Sequence, residues 1–141
     1  MAKNSLNQWT LALLRVVLGL IFAYHGYQKL FVPGGFKGTM GFFAVIGIPF
    51  PAYSALAVAA IEFLGGIFLL LGMVTKWSSI LLFIEMLVAF FKVHLGQGFL
   101  ISAQAYGYEF ILLILAALAI VLVNGAGKLS LGKLFKKKYL Q

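Results

Sequence analysis

Cysteine is absent from the 141-residue chain, which excludes dithiol redox chemistry, thiolate nucleophiles and cysteine-ligated iron–sulfur clusters. Charge is scarce as well: 10% of the residues are charged, against the roughly 25% that a soluble domain carries to cover its surface. With 63% hydrophobic residues, such a chain has too little polar surface to cover its apolar mass in water. Its length allows one domain. No metal-binding motif is present. The GAGK stretch ending at Lys128 lacks both the six-residue glycine spacing and the preceding strand of a phosphate loop. The first apolar run is too long for a cleaved signal peptide, and no A-x-A-like site follows it.

What the chain does have is four apolar runs, over residues 9–31, 53–72, 77–95 and 106–123. Each approaches the roughly 20 residues needed to cross a bilayer as a helix. The expected fold is therefore all-α: a four-helix transmembrane bundle forming a single domain. Residues 36–47 are apolar but too short to cross. They predict a short interfacial helix between the first and second spans, ended by Pro49 and Pro51.

The formal net charge of +8 does not point to nucleic acid, because its position argues for a membrane. Five of the eleven basic residues (Lys128, Lys133, Lys136, Lys137 and Lys138) form a tail over residues 124–141, directly after the last span. Together with Lys3 and Lys76 they fall on one side of the expected bundle, while Lys29, Lys37 and Lys92 fall near the other. The positive-inside rule then places both termini in the cytoplasm of a cell-membrane protein whose first partner is the lipid bilayer.

The three acidic residues, Glu62, Glu85 and Glu109, all lie inside predicted spans. An ionisable group at the bilayer centre costs about 2.5–3.5 kcal/mol or more, so each needs a partner or a wet cavity. Counting 1.5 Å per residue places Arg15 roughly 9 Å, and Glu62 and Glu85 roughly 14 Å, from the inner interface. On the same scale His25, Lys92 and Glu109 lie at roughly 24 Å, with Lys29 and His94 slightly further out. Two layers result. The inner one predicts a pairing of Arg15 with Glu62 or Glu85, read either as a register-setting ion pair or as a gate. The outer one (His25, Lys29, Lys92, His94 and Glu109) reads either as a polar ligand pocket or as snorkelling anchors.

Small residues support an inward orientation. Gly19 and Gly26 share a stripe with Arg15 and Lys29 on the first span, and Ala55, Ala59 and Gly66 share one with Glu62 on the second. His94 lies about 180° from Glu85 on an unbroken helix. Either the helix loosens before Gly96 or His94 faces elsewhere.

The ordered segments LLRVVLGLIFAYHGYQKLF, IEFLGGIFLLLGMVTKW, MLVAFFKVHLGQGF and YGYEFILLILAALAIVLVNGAGKLSLG resemble the DoxX family from about Leu11 to Gly132. The resemblance implies a four-helix membrane fold, with family-type polar positions at Arg15, His25, Gly26, Lys29, Glu62, His94 and Glu109. The chain departs from the pattern at its end, where Gly132 follows Ser130 and Leu131 in place of an acidic residue. Some relatives are subunits of thiosulfate:quinone oxidoreductases, so redox work is implied loosely.

The leading expectation is a membrane subunit that binds a quinone-like molecule through His25, Lys29 and Glu109 and serves a partner oxidoreductase. The chain supplies no cofactor of its own beyond such a bound quinone. A small-solute carrier, a non-catalytic scaffold for a partner enzyme, and association with a second copy of the chain stay open.

Overall fold

The computed structural model describes residues 2–134, with side chains from residue 5 to residue 132. The expected tail lysines Lys136, Lys137 and Lys138 lie outside the described residues. Every element in this range is helical: α1 (Ala2–Phe31), α2 (Gly35–Val45), α3 (Pro51–Leu71), α4 (Thr75–Ala89), α5 (Glu109–Asn124) and α6 (Leu131–Leu134). A π-helical turn (Phe90–His94) and a 3-10 turn (Leu95–Gln97) prolong α4. The helices of α1, α3 and extended α4 are long and apolar enough to cross a membrane. The expected fourth span is shorter. At 16 residues α5 is about 24 Å long, less than a hydrocarbon core of about 30 Å.

The start of α5 moved from residue 106 to Glu109 because the loop before it is tied back to α4. Tyr106 N–H donates to Gln97 Oε1 (2.6 Å), Tyr108 N–H to Gly98 O (3.1 Å) and Glu109 N–H to Phe99 O (3.0 Å). Those three donors are satisfied in the loop and have no need of helical partners.

The short apolar helix between the first two spans is present as α2, and glycine rather than proline ends it. Gly47, at φ 71°, donates to Ala44 O and is followed by an Ile48 N–H bond to Phe43 O. This left-handed closure suits a residue without a β-carbon. Pro51 instead opens α3, where the missing N–H of a first-turn residue costs nothing.

Four helices close a ring in the order α1, α3, α4, α5, with α2 outside against α1 and α3. The tightest seam is α1 on α3. A β-carbon on Gly66 would overlap the Ala23 backbone nitrogen, one on Gly26 would overlap the Phe63 backbone, and one on Gly19 would sit 2.7 Å from Leu70 N. The small-residue stripes are thus the contact surface itself, and backbone-to-backbone approach replaces the hydrophobic drive that lipid does not supply. Outward-facing Leu13, Leu20, Leu64, Leu113 and Ile120 are each at least half exposed, which suits hydrocarbon rather than water.

Packing is asymmetric along the bundle. The dry core (Leu11, Leu18, Phe22, Leu69, Leu82, Leu118 and Val121) fills the end where the chain enters and leaves. At that end Lys128 N–H donates to Gln8 O and Lys128 Nζ to Ser5 Oγ, so both ends of the described chain meet there. The opposite half is hollow.

Gly66→Ala is expected to lower stability in detergent by about 1–3 kcal/mol, as overpacking does. Gly41→Ala on α2, where a β-carbon meets nothing within 4 Å, is expected to be neutral or to gain about 0.5–1 kcal/mol. Thermal unfolding of the two variants side by side checks the seam.

Candidate ligand-binding site

The buried charges do not sort into the two layers that counting along the helices predicts. Glu62 is 5% exposed, and its Oε2 forms an ion pair with Lys29 Nζ, a residue expected in the other layer. The reason is the register of the two helices: Gly26 lies against Phe63 and Gly66 against Ala23, which brings position 29 close to the level of Glu62. Each Cα–Cβ bond also tilts toward its own helix's N-terminus. On antiparallel α1 and α3 this tilts Lys29 back along the bundle and Glu62 forward, which closes the short remaining offset.

Arg15 correspondingly has no carboxylate partner among the described residues, and the expected Arg15–Glu62 or Arg15–Glu85 pairing is not formed. Its guanidinium, fully buried, donates to the carbonyls of Leu69, Leu70 (2.9 Å), Leu129 (3.0 Å) and Lys128 (3.4 Å). Its side chain meets the C-terminus of α3, where the last carbonyls lack helical donors. The negative end of the helix dipole favours a cation there. Gly72, at φ 67°, and Ser130, whose Oγ donates to Gly72 O (2.7 Å), complete this knot. Arg15 is therefore structural.

A cavity of about 690 Å³ lies between α2, α3 and α4, within the size range of small-molecule sites. Its polar end carries Lys29, Glu62, Glu85, Lys92 and His94. Its walls are apolar, with Phe42 from α2 and Ile46 just after it, Val58 and Ile61 from α3, and Ile84 and Val88 from α4. Phe42, Ile84 and Val88 are also exposed on the outer surface, so the cavity opens sideways where lipid would lie. A smaller cavity of about 210 Å³ is lined by His25, Phe22, Phe110 and Ile114. It shares Glu62, Met86, Ala89 and His94 with the larger one.

The π-helical turn brings His94 to this place. One extra residue in the turn takes back about 100° of the 180° that separates His94 from Glu85 on a regular helix. The helix loosens before Gly96, which is one of the two outcomes that the sequence left open. His94 Nδ1 lies 2.6 Å from Tyr106 O. A carbonyl only accepts, so Nδ1 carries the hydrogen and Nε2 is left to face the cavities.

The expected trio of His25, Lys29 and Glu109 is not one pocket. Lys29 lines the larger cavity, His25 the smaller, and Glu109 neither. Glu109 Oε1 accepts from Ile101 N–H (2.8 Å) and holds the loop over the bundle end. Counting along the chain missed Glu62 and Glu85 as cavity residues, along with Thr39 and Phe42 of α2. The glycines Gly19, Gly26 and Gly66, matched against each other to set the slide of α1 along α3, were the signal that could have found the first of these.

The family model described as DoxX matches residues 10–95. The chain is similar to a Bacillus subtilis (strain 168) protein named "Putative oxidoreductase CatD", with 34% identity over 102 residues covering 72% of this chain and 70% of that protein. It is also similar to a Haemophilus influenzae "Uncharacterized protein", at 35% identity over 130 residues, covering 91% and 92% of the two chains. No solved structure matches.

Lys29→Met alone is expected to destabilise by about 3–5 kcal/mol, because it strands Glu62, and most of that loss should vanish in Lys29→Met/Glu62→Leu. Arg15→Met and Glu62→Gln, which share no partner, are expected to add within about 0.5 kcal/mol. Unfolding of these variants and of the Arg15→Met/Glu62→Gln double in detergent distinguishes this pairing from an Arg15 salt bridge.

Proposed function

The chain belongs to the DoxX family of integral membrane proteins, and on that premise we propose that it is the membrane subunit of a redox system that binds a quinone-like amphiphile in the larger cavity. One observation carries the proposal. The cavity joins an apolar chamber, open toward lipid, to a cluster of Lys29, Glu62, Glu85 and His94 at its inner end. A quinone-like molecule has that same division between an apolar tail and a ring with two hydrogen-bonding oxygens. Lys29 Nζ, with hydrogens beyond the one given to Glu62, can donate to a ring oxygen, and the bare Nε2 of His94 can accept from a hydroxyl of the reduced ring.

Electrons reach this site from a partner oxidoreductase, since the chain has no thiol and no metal motif. The name given to the Bacillus subtilis relative is consistent with work beside such an enzyme. The protein sits in the cell membrane with both chain ends toward the cytoplasm. The lysine bias of the sequence, seven on the side of the chain ends against Lys29, Lys37 and Lys92 on the other, supports that orientation. A through-route for a solute has less support: the dry core closes the bundle at Leu69, Leu82, Leu118 and Val121, all fully buried, and Arg15 is held by carbonyls there.

Protein purified in mild detergent is expected to retain an isoprenoid quinone. Ala57→Phe, which pushes a ring into the cavity from an exposed wall position, is expected to lower that retention by about tenfold, equivalent to 1.4 kcal/mol. Glu109→Gln, outside both cavities, is expected to leave it unchanged. No retained quinone, and no saturable uptake of an added one, would end this reading.

A further inference from the structure

Glu62 lines both cavities, and the Glu85 carboxyl lies beside it. The charged and titratable groups facing these two come from every neighbouring element: Lys29 and His25 on α1, and Lys92 and His94 on α4 and its π turn. Helix α2 contributes neutral Thr39. Lys29 is bonded to Glu62, Lys92 is exposed, and His94 has its Nδ1 hydrogen on Tyr106. Glu85 Oε2 is sealed from solvent and has no donor in reach.

Two adjacent carboxylates between apolar walls repel each other, and the one half-buried lysine neutralises only one of them. A buried acceptor without a donor is unfavourable by itself. A single hydrogen on Glu85 removes both problems. It turns an orphaned acceptor into a donor able to bond the Glu62 carboxylate, and it leaves the pair with one negative charge against one Lys29.

We propose that Glu62 and Glu85 share one exchangeable proton, and that with Lys29 they form a neutral proton-exchange site serving the molecule in the larger cavity. The recipient's identity rests on the quinone reading above, whereas the shared proton belongs to the protein without ligand. In the transfer, an O–H bond on Glu85 breaks as one forms on a ligand oxygen made anionic by electrons from the partner oxidoreductase, and the paired carboxylates are left with two negative charges. The site refills through the smaller cavity. Its volume of about 210 Å³ holds several waters at about 30 Å³ each, and His25 and the open Nε2 of His94 line it.

Infrared spectroscopy tests this with little ambiguity, because the chain has three acidic side chains, all glutamate. Quinone-free protein at pH 7 is expected to show the carbonyl stretch of one protonated carboxylic acid, shifted on exchange into D₂O. The band is expected to disappear in Glu85→Gln. It is also expected to disappear in Glu62→Gln, where Lys29 is left to ionise the remaining carboxyl, and to persist in Glu109→Gln. No such band in the wild-type protein, a measurement that needs no variant to fold, overturns the proposal. So does a band that survives either Glu85→Gln or Glu62→Gln. Because no quinone is present, the result is decided separately from quinone retention.

Discussion

The ion pair between Lys29 and Glu62 sits in a medium where neither charge can stand alone. A carboxylate stranded among hydrocarbon costs several kcal/mol, and so does an ammonium, so α1 and α3 must present both at one place or present neither. That demand fixes the rest of the seam. The reach of one side chain across the interface requires the backbones to lie close, and Gly19, Gly26 and Gly66 allow this by having no side chain to keep them apart. The pair also fixes register: a slide of α1 along α3 would leave Glu62 beside apolar residues and Lys29 beside lipid.

From that point the bundle divides into two ends built on different principles. Toward the chain ends, leucines and Val121 fill the centre, and the buried guanidinium of Arg15 hydrogen-bonds to carbonyl oxygens. The charge there serves as a clamp, joining the C-terminus of α3 to the segment after α5. At the other end, α2 lies outside the ring, and α4 widens into a π-helical turn. The space between them stays open, and Lys29, Glu62, Glu85 and Lys92 line it. One end holds the structure together so that the other can be hollow.

Much of this arrangement was legible in the sequence. The apolar runs gave the helices, and the stripes of Gly19, Gly26, Ala55, Ala59 and Gly66 gave the faces that meet. The short helix before α3 was legible from its length. The partners of the charges were not. Counting rise per residue from the end of each apolar run leaves the slide of one helix against its neighbour unknown, and it is the register of Gly26 on Phe63 and Gly19 on Leu70 that brings Lys29 to Glu62 and Arg15 to the end of α3. Backbone acceptors carry no letter in the sequence, so Arg15 was assigned to the only anions that do. His94 depended on a π turn that sequence periodicity alone leaves open. Glu109 depended on a loop whose backbone donors no motif announces.

The central claim is that the charges at the hollow end form the head-group site of one amphiphilic molecule. An electron cryomicroscopy map of the protein in native lipid, with quinone present, tests this most directly. Density for a ring is expected within hydrogen-bonding reach of Lys29, Glu62, Glu85 and His94, with its tail leaving between α2 and α4 past Phe42, Ile84 and Val88. A cavity closed by its own side chains, or a quinone bound on another face with Lys29 and Glu62 unoccupied, would contradict it.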